Sequence, residues 1–258
     1  MDDLRIEQRG AARWLILNRP EKRNPLSRNL LRALHGAVET AASYDDTRCL
    51  VLAGAGPVFC AGADLAEAVQ ADDPAILAAD GELLSRLLQT IVESPKPVIA
   101  RVQGAALAGG FGLAAAADVV VAASDARFAL TEVRIGLVPA VIGPYVLRAL
   151  GTRQAIPRML LGSAFGAEEA LRIGLAHRVV EPNALDAAVD AVVEDLSRGA
   201  PGALAAVKRF VGEVEGLDFD EAREVTVGLY AERRRSAEGQ EGMRSFLEKR
   251  RPRWAPEA

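Results

Sequence analysis

The sequence contains few of the residues from which metal sites and nucleophilic triads are built. Among its 258 residues are two cysteines and two histidines. Cys49 and Cys60 are too few for a disulfide framework, and no pair of CxxC motifs indicates zinc, so we expect two small core residues and no metal site. His35 and His177 are the only imidazoles, which makes a Ser-His-Asp or Cys-His mechanism a weak hypothesis.

Other absences exclude several classes of protein. No apolar run reaches the roughly 18 residues that a membrane-spanning helix needs, and the N-terminal segment lacks the pattern of a signal peptide. The glycine-rich segments contain no GxxxxGK[ST] motif and therefore form no P-loop. A net charge of -4 gives no reason to expect nucleic acid as a partner. We expect a cytoplasmic protein that binds neither a membrane nor nucleic acid.

The order of the predicted elements indicates the domain organisation. Short β-rich segments alternate with helical patterns as far as Val180, and only helical patterns follow Ala184. This order is typical of a mixed α/β core with a helical appendage. We predict a core over residues 1-195 and a C-terminal helical region over residues 196-258.

Local signals predict several of the individual elements. Alternating apolar residues predict a β-hairpin from Leu4 to Leu17. Ser27 is placed to cap a helix, because leucines recur at helical spacing after it. An amphipathic helix is predicted from Ala75 to Val92, and the sequence is predicted to be mostly helical from Tyr145, through Arg153 to Leu161.

Two glycine-rich turns share one pattern: a buried strand, a turn of small residues, then a helix. One lies between Val102 and Leu113, and the other between Gly54 and Asp64. In the first, a turn of small residues that includes Gly109 lets a ligand approach the backbone amides. The first amides of a helix lack intrahelical partners and lie at its positive end, so they can stabilise an oxyanion. Close packing of helix on strand would also explain the small residues.

Six motifs in order along nearly the whole chain resemble the enoyl-CoA hydratase/isomerase, or crotonase, superfamily. They are Asn18-Arg-Pro-Glu-Lys-Arg-Asn-Pro25, Phe59-Cys-Ala-Gly-Ala-Asp-Leu65, Gly104 to Gly112, Ala117-Asp118, Phe128 to Pro139, and Glu241 to Arg250. The resemblance implies an α/β fold, a spiral of ββα units with a C-terminal helical region that drives trimerisation, often into a dimer of trimers. It also implies an acyl-CoA thioester as substrate. Coenzyme A is then part of the substrate, and no metal or redox cofactor is needed.

The resemblance assigns roles residue by residue. The thioester oxygen would be held by the backbone amides of Ala63 and Gly109, and Glu132 would be the acid/base. Arg23 would contact the phosphates of coenzyme A. Ala61, Asp64 and Leu65 would contact its adenine. Phe246 and Lys249 would help close the coenzyme A site, often from a neighbouring subunit.

The chain departs from the family pattern at Gly112, where the hydratases have a first glutamate. Three explanations stay open. In the first, Glu132 alone serves both proton transfers of syn hydration, as in relatives resembling methylglutaconyl-CoA hydratase. Alternatively Glu132 shuttles a proton between the α and γ carbons, as in a Δ3,Δ2-enoyl-CoA isomerase. In the third, another acid enters from the helix after residue 74, where Asp80 and Glu82 are the nearest candidates.

We therefore expect an enoyl-CoA hydratase that adds water to a 2-enoyl-CoA, in fatty acid metabolism or branched-chain amino acid degradation. The alternatives are the isomerase and a noncatalytic acyl-CoA-binding protein. Retention of Glu132 disfavours the binding protein, because a module that only binds has no use for a buried, unpaired carboxylate.

Overall fold

A computed structural model describes residues 3–70 and 72–255 of the chain. Nine strands alternate with helices over most of its length. The strands are β1 (Leu4–Arg9), β2 (Ala12–Leu17), β3 (Cys49–Gly54), β4 (Val98–Val102), β5 (Ala105–Leu107), β6 (Val119–Ala123), β7 (Arg127–Ala129), β8 (Phe165–Gly166) and β9 (Arg178–Val180).

Ten α-helices complete the described residues, and four of them follow the last strand. They are α1 (Arg28–Ala41), α2 (Leu65–Ala68), α3 (Pro74–Glu93), α4 (Gly109–Ala116), α5 (Gly143–Leu161), α6 (Ala167–Arg172), α7 (Leu185–Arg198), α8 (Pro201–Val214), α9 (Phe219–Arg235) and α10 (Ala237–Leu247). Among the described residues, no helix combines the length and apolar character that a membrane span requires.

Two sheets organise the core. The larger has the order β1-β2-β3-β4-β6-β9, and all of its pairs are parallel except the β1-β2 hairpin. The smaller has the order β5-β7-β8. The chain passes from β4 to β5 and from β6 to β7, so successive ββ pairs give one strand to each sheet. The predicted ββα units arise from this repeated step.

Both faces of the larger sheet are covered, as is usual for parallel strands. β3 shows this, because all six of its residues are buried. Leu50 and Leu52 point into the main core, which includes α1, α3 and α4. Val51 packs on the opposite side with Trp14 of β2 and Val189 of α7.

Most of the predicted elements are present, with two differences. The hairpin and the α3 helix match their predictions, and Ser27 caps α1 by accepting a hydrogen bond from the Leu30 amide at 3.2 Å. The mostly helical region predicted from Tyr145 is α5, which begins two residues earlier, at Gly143, and contains a non-helical kink at Gly151. The predicted boundary at residue 195 falls inside α7, and the division into a core and a helical region remains a prediction.

Candidate active site

The first glycine-rich turn lies between β5 and α4. Ala108 occupies it with φ 47° and ψ -117°, a conformation that costs an alanine strain of about 1–3 kcal/mol. Its amide donates to the Ala129 carbonyl at 2.9 Å, which fixes the turn against β7. A Cβ on Gly110 would lie 2.5 Å from the Cys60 carbonyl oxygen. The small residues therefore do allow close packing, and the same turn leaves the amide of Gly109 at the start of α4.

The second turn lies directly beside the first. The Leu26 amide donates to the Gly62 carbonyl at 2.8 Å, and the Asp64 amide donates to the Leu26 carbonyl at 3.2 Å. These two bonds hold the backbone on either side of Ala63. The Ala63 nitrogen is 3.9 Å from the position that a Cβ on Gly109 would occupy, so the two predicted oxyanion donors are neighbours. Among the described residues, neither amide donates to another backbone group.

A cavity of about 300 Å³ opens in front of these amides. Its walls come from the start of α1, from α3 and from residues 131–142. Most of the site residues that the resemblance implies line this cavity, namely Ala61, Ala63, Asp64, Leu65, Gly109 and Glu132.

Glu132 is one of two among these residues with an ionisable side chain, the other being Asp64. Glu132 begins a short 3-10 helix, Glu132–Ile135, after the buried Leu130. Its Oε2 atom is buried and has no hydrogen-bond partner among the described residues. Burial raises the pKa of Glu132 above the ordinary value for a glutamate. A carboxyl group of this kind suits proton transfer at near-neutral pH.

The space next to Gly112 is occupied by the side chain of Ile142. A Cβ built on Gly112 would lie 2.9 Å from the Ile142 Cβ and 3.8 Å from Leu88 Cδ1. Ile142 is buried and also lines the cavity. The position of the expected first glutamate is therefore an apolar wall, and a side chain cannot be added there without moving Ile142.

The two alternative acids differ in position. Glu82 pairs with Arg86 on the outer side of α3, where both side chains are more than half exposed, and it does not line this cavity. Asp80 does line the cavity, but its carboxylate accepts two hydrogen bonds from Arg28. These bonds lower the pKa of Asp80 below its ordinary value and keep it ionised. Asp80 is thus poorly suited to deliver a proton.

The residues assigned to coenzyme A fall into two groups. Asp64 is tied to the fold, since it accepts from Arg19 at 2.8 Å and caps α2 through the Ala66 amide. Burial alone would raise the pKa of Asp64, but the Arg19 contacts outweigh it and lower the pKa. Arg23 is exposed and lies beside the cavity wall, because its carbonyl accepts from the Ala61 amide at 3.0 Å.

Phe246 and Lys249 lie apart from this cavity. Phe246 is 82% exposed at the end of α10, Lys249 is exposed just after it, and neither lines the cavity of its own chain. A contact between these two residues and a substrate would require the cavity of another subunit.

Neither histidine lines the cavity. His177 Nδ1 accepts a hydrogen bond from the Val120 amide at 3.0 Å, and burial lowers the pKa of its imidazole. His35 lies 3.4 Å from Glu39 on α1. Among the described residues, no three His, Cys, Asp or Glu side chains converge as metal ligands would.

Sequence reasoning missed two residues that shape the site, Arg28 and Ile142. Arg28 is 52 positions from its partner Asp80, and Ile142 is 30 positions from Gly112. No local pattern links such distant residues, so only the folded chain shows these contacts.

Comparison with known proteins places this geometry in a family. Residues 9–257 match the family model described as enoyl-CoA hydratase/isomerase. The chain is 34% identical over 258 residues to the mevalonyl-coenzyme A hydratase sidH of Aspergillus fumigatus, covering 94% of this chain and 90% of the relative. It is 32% identical over 244 residues to the trans-2-decenoyl-[acyl-carrier-protein] isomerase of Streptococcus mutans, covering 93% of each.

Solved structures agree with the sequence relatives. The crystal structure of an enoyl-CoA hydratase from Mycobacterium smegmatis superimposes with a TM-score of 0.93 at 34% identity, over 98% of both chains. This similarity confirms the predicted α/β fold with its C-terminal helices.

Proposed function

The chain belongs to the enoyl-CoA hydratase/isomerase family, the crotonase superfamily, and we propose that it adds water to the double bond of a 2-enoyl-CoA thioester. One observation carries the proposal. The unpartnered, buried Oε2 of Glu132 shares a cavity with the amides of Ala63 and Gly109. A proton-transfer group and two free donors for an oxyanion are the parts that this reaction requires.

The two amides have a defined task in the proposed reaction. When water attacks the β carbon, the electron pair of the double bond moves toward the thioester, and negative charge collects on its carbonyl oxygen. Hydrogen bonds from Ala63 and Gly109 oppose that charge at no cost in reorganisation, because the two turns already hold both amides in place. Losing one such donor costs about 3 kcal/mol in comparable sites.

Glu132 carries out both proton transfers. The carboxylate accepts a proton from the attacking water, and the resulting carboxylic acid returns that proton to the α carbon on the same face of the substrate. The raised pKa of Glu132 favours both halves, since the group must take a proton and then release it. The atoms balance between water, substrate and Glu132 without oxidation or reduction, so the proposed reaction calls for no redox cofactor, and the two amides supply the charge stabilisation that a metal would otherwise provide.

The coenzyme A moiety is proposed to extend from the cavity along the turn that contains Ala61 and Leu65. Arg23 is exposed beside this turn and can meet a phosphate. Phe246 and Lys249 are proposed to complete the site of a neighbouring subunit in a trimer or a dimer of trimers.

Isomerisation is the second candidate, and the apolar wall at Ile142 favours it. Hydration needs a place for water beside the β carbon, whereas a shift of the double bond needs a single base that moves a proton between the α and γ carbons. Glu132, in the cavity that Ile142 also lines, meets that smaller requirement. One relative at 32% identity is named as an isomerase.

The deciding experiment supplies 2-enoyl-CoA and 3-enoyl-CoA esters to the purified protein in isotopically labelled water. Hydration removes the conjugated absorbance of the 2-enoyl ester and places labelled oxygen in the product. Isomerisation of the 3-enoyl ester creates that absorbance without incorporating oxygen. Glu132→Gln should lower either rate by at least about 100-fold. Tight binding of the esters without turnover would instead identify an acyl-CoA-binding protein.

A further inference from the structure

An ion pair between α1 and α3 forms part of the cavity wall. Arg28 Nε lies 2.5 Å from Asp80 Oδ1, and Arg28 Nη2 lies 2.7 Å from Asp80 Oδ2. This two-point contact fixes both planar groups relative to one another. The two side chains are 32% and 30% exposed, so the pair lies at an opening rather than in the core.

The same pair also borders a second depression. An open depression of about 610 Å³ between α1 and α3 is also lined by Arg28 and Asp80. The rest of its lining combines apolar and charged side chains, namely Ala75, Ile76, Ala79 and Leu83 with Arg32, Glu82 and Arg86. Leu84, one residue further along α3, lines the catalytic cavity instead. The ion pair is therefore the shared wall between the cavity that contains Glu132 and an adjoining, partly apolar depression.

We propose that the Arg28–Asp80 ion pair is a partition that limits the substrate to short acyl chains, and that the depression beyond it accepts longer chains when the pair is removed. This inference rests on the proposed acyl-CoA function. The cavity of about 300 Å³ is at the small end of the range for ligand sites. A longer acyl chain must separate the Arg28 guanidinium from the Asp80 carboxylate. This separation is unfavourable, because a methylene group offers neither charged group a hydrogen bond.

The backbone beside the pair is held independently of it. The Arg28 amide donates to Glu67 Oε2 at 3.0 Å, and this contact does not involve the guanidinium. Truncating either side chain should therefore open the wall without releasing the start of α1. Ile76 is 43% exposed and would bury additional surface against a chain that passes through the opening.

The test measures dissociation constants of saturated acyl-CoA esters, from butanoyl to dodecanoyl, because binding requires no turnover. The wild type should bind the butanoyl ester and gain little from added length. Arg28→Ala and Asp80→Ala should each improve the affinity for the dodecanoyl ester relative to the butanoyl ester by at least roughly tenfold, the effect of burying about two more methylenes. Asp80→Asn, which keeps the shape of the side chain, should show a smaller change.

Glu82→Ala is the matched control, since it breaks an exposed ion pair on the same helix and lines only the outer depression. Its chain-length profile should match that of the wild type. An unchanged profile in folded Arg28→Ala and Asp80→Ala, or a wild type that already prefers the dodecanoyl ester, overturns the partition and leaves the proposed function standing. If no ester of any length binds, both proposals are wrong.

Discussion

Glu132 keeps one carboxylate oxygen buried where no described residue donates a hydrogen bond to it. Because burial raises its pKa, the folded chain holds this proton more tightly than the unfolded chain does. The ionised form therefore lowers the stability of the fold. The penalty is absent below the ordinary glutamate value of 4.5 and grows as the pH rises through the folded pKa.

Glu132→Gln should consequently stabilise the protein at neutral pH while removing its activity. The gain in the free energy of unfolding should be about 1 kcal/mol at pH 7, since a neutral amide costs less to bury than a carboxylate. Urea unfolding between about pH 4 and pH 8 measures it, and the gain should vanish at the acid end. Glu82→Gln, at an exposed position, serves as the control. Equal stability of wild type and Glu132→Gln across this range would show that burying the ionised carboxylate of Glu132 does not destabilise the fold.

The side chain of Ile142 occupies the space that a side chain at position 112 would need. Gly112→Glu should destabilise the protein by about 2 kcal/mol or more, because the new side chain collides with Ile142 in a packed region. Adding Ile142→Ala to that variant should recover part of the loss and place a second carboxyl group in the cavity wall. Denaturant unfolding of the two single variants and the double variant measures the coupling.

The outcome also bears on the reaction. If hydration is limited by the missing acid, the double variant should hydrate a 2-enoyl ester faster than Ile142→Ala alone. Strictly additive losses of stability would contradict the contact between residues 112 and 142.

At the scale of elements, a partly buried ion pair joins the C-terminal helix α8 to the larger sheet. Lys208 on α8 is 9% exposed and lies 2.5 Å from Asp118, which precedes β6. Lys208 also donates to the Ile91 carbonyl at 3.1 Å, while Asp118 accepts from the Val98 amide at 2.7 Å. Burial lowers the pKa of Lys208, and Asp118 partly opposes that shift.

The two partners should respond unequally to removal. Asp118→Ala should cost about 3 kcal/mol, because it leaves the Lys208 ammonium buried without its counter-charge. Lys208→Met should cost less, since methionine fills the space and Asp118 keeps its bond from Val98. The loss in Asp118→Ala should shrink as the pH rises, because the lowered pKa of Lys208 lets its ammonium become neutral below the ordinary lysine value of 10.5. Thermal unfolding checks this order, with the exposed Glu194→Ala as a control; equal losses would refute the asymmetry.

The elements also show which parts of the fold are predictable. Strand, turn and helix signals are local, so the hairpin, the Ser27 cap and both glycine-rich turns follow from neighbouring residues. The smaller sheet was not predicted, because β5 and β7 have three residues each and β8 has two. The Arg28–Asp80 and Gly112–Ile142 contacts depend on helices that meet only in the folded chain. Placing Glu132 in the site required the family resemblance, since one glutamate in an apolar segment has no distinctive spacing.

At the scale of the whole molecule, large apolar side chains are exposed on the C-terminal helices. Phe219 is 97% exposed, Leu247 is 80% exposed, and Tyr230 is 65% exposed. These side chains are candidates for contact with another chain. The trimer or dimer of trimers stays a prediction, and Phe246 and Lys249 lie on the same C-terminal segment as these exposed side chains.

If Lys249 contacts the substrate in the site of a neighbouring subunit, a mixture of two variants with different defects should regain activity. Lys249→Ala alone should weaken binding of the CoA ester roughly tenfold through loss of a charged hydrogen bond, and Glu132→Gln alone should be inactive. In mixed trimers, a Lys249→Ala chain keeps Glu132 and receives Lys249 from a Glu132→Gln neighbour. Equal co-expression should therefore restore about one quarter of the sites.

The measurement is activity at a subsaturating ester concentration, with the two chains carrying different affinity tags and purified together. Co-expression of Glu132→Gln with the double variant provides the control, because none of its sites contains Glu132. If Lys249 acted on the site of its own chain, every site with Glu132 in the mixture would lack Lys249, and mixing would restore nothing. Recovery in the first mixture and none in the control would show that each active site is completed across the subunit interface.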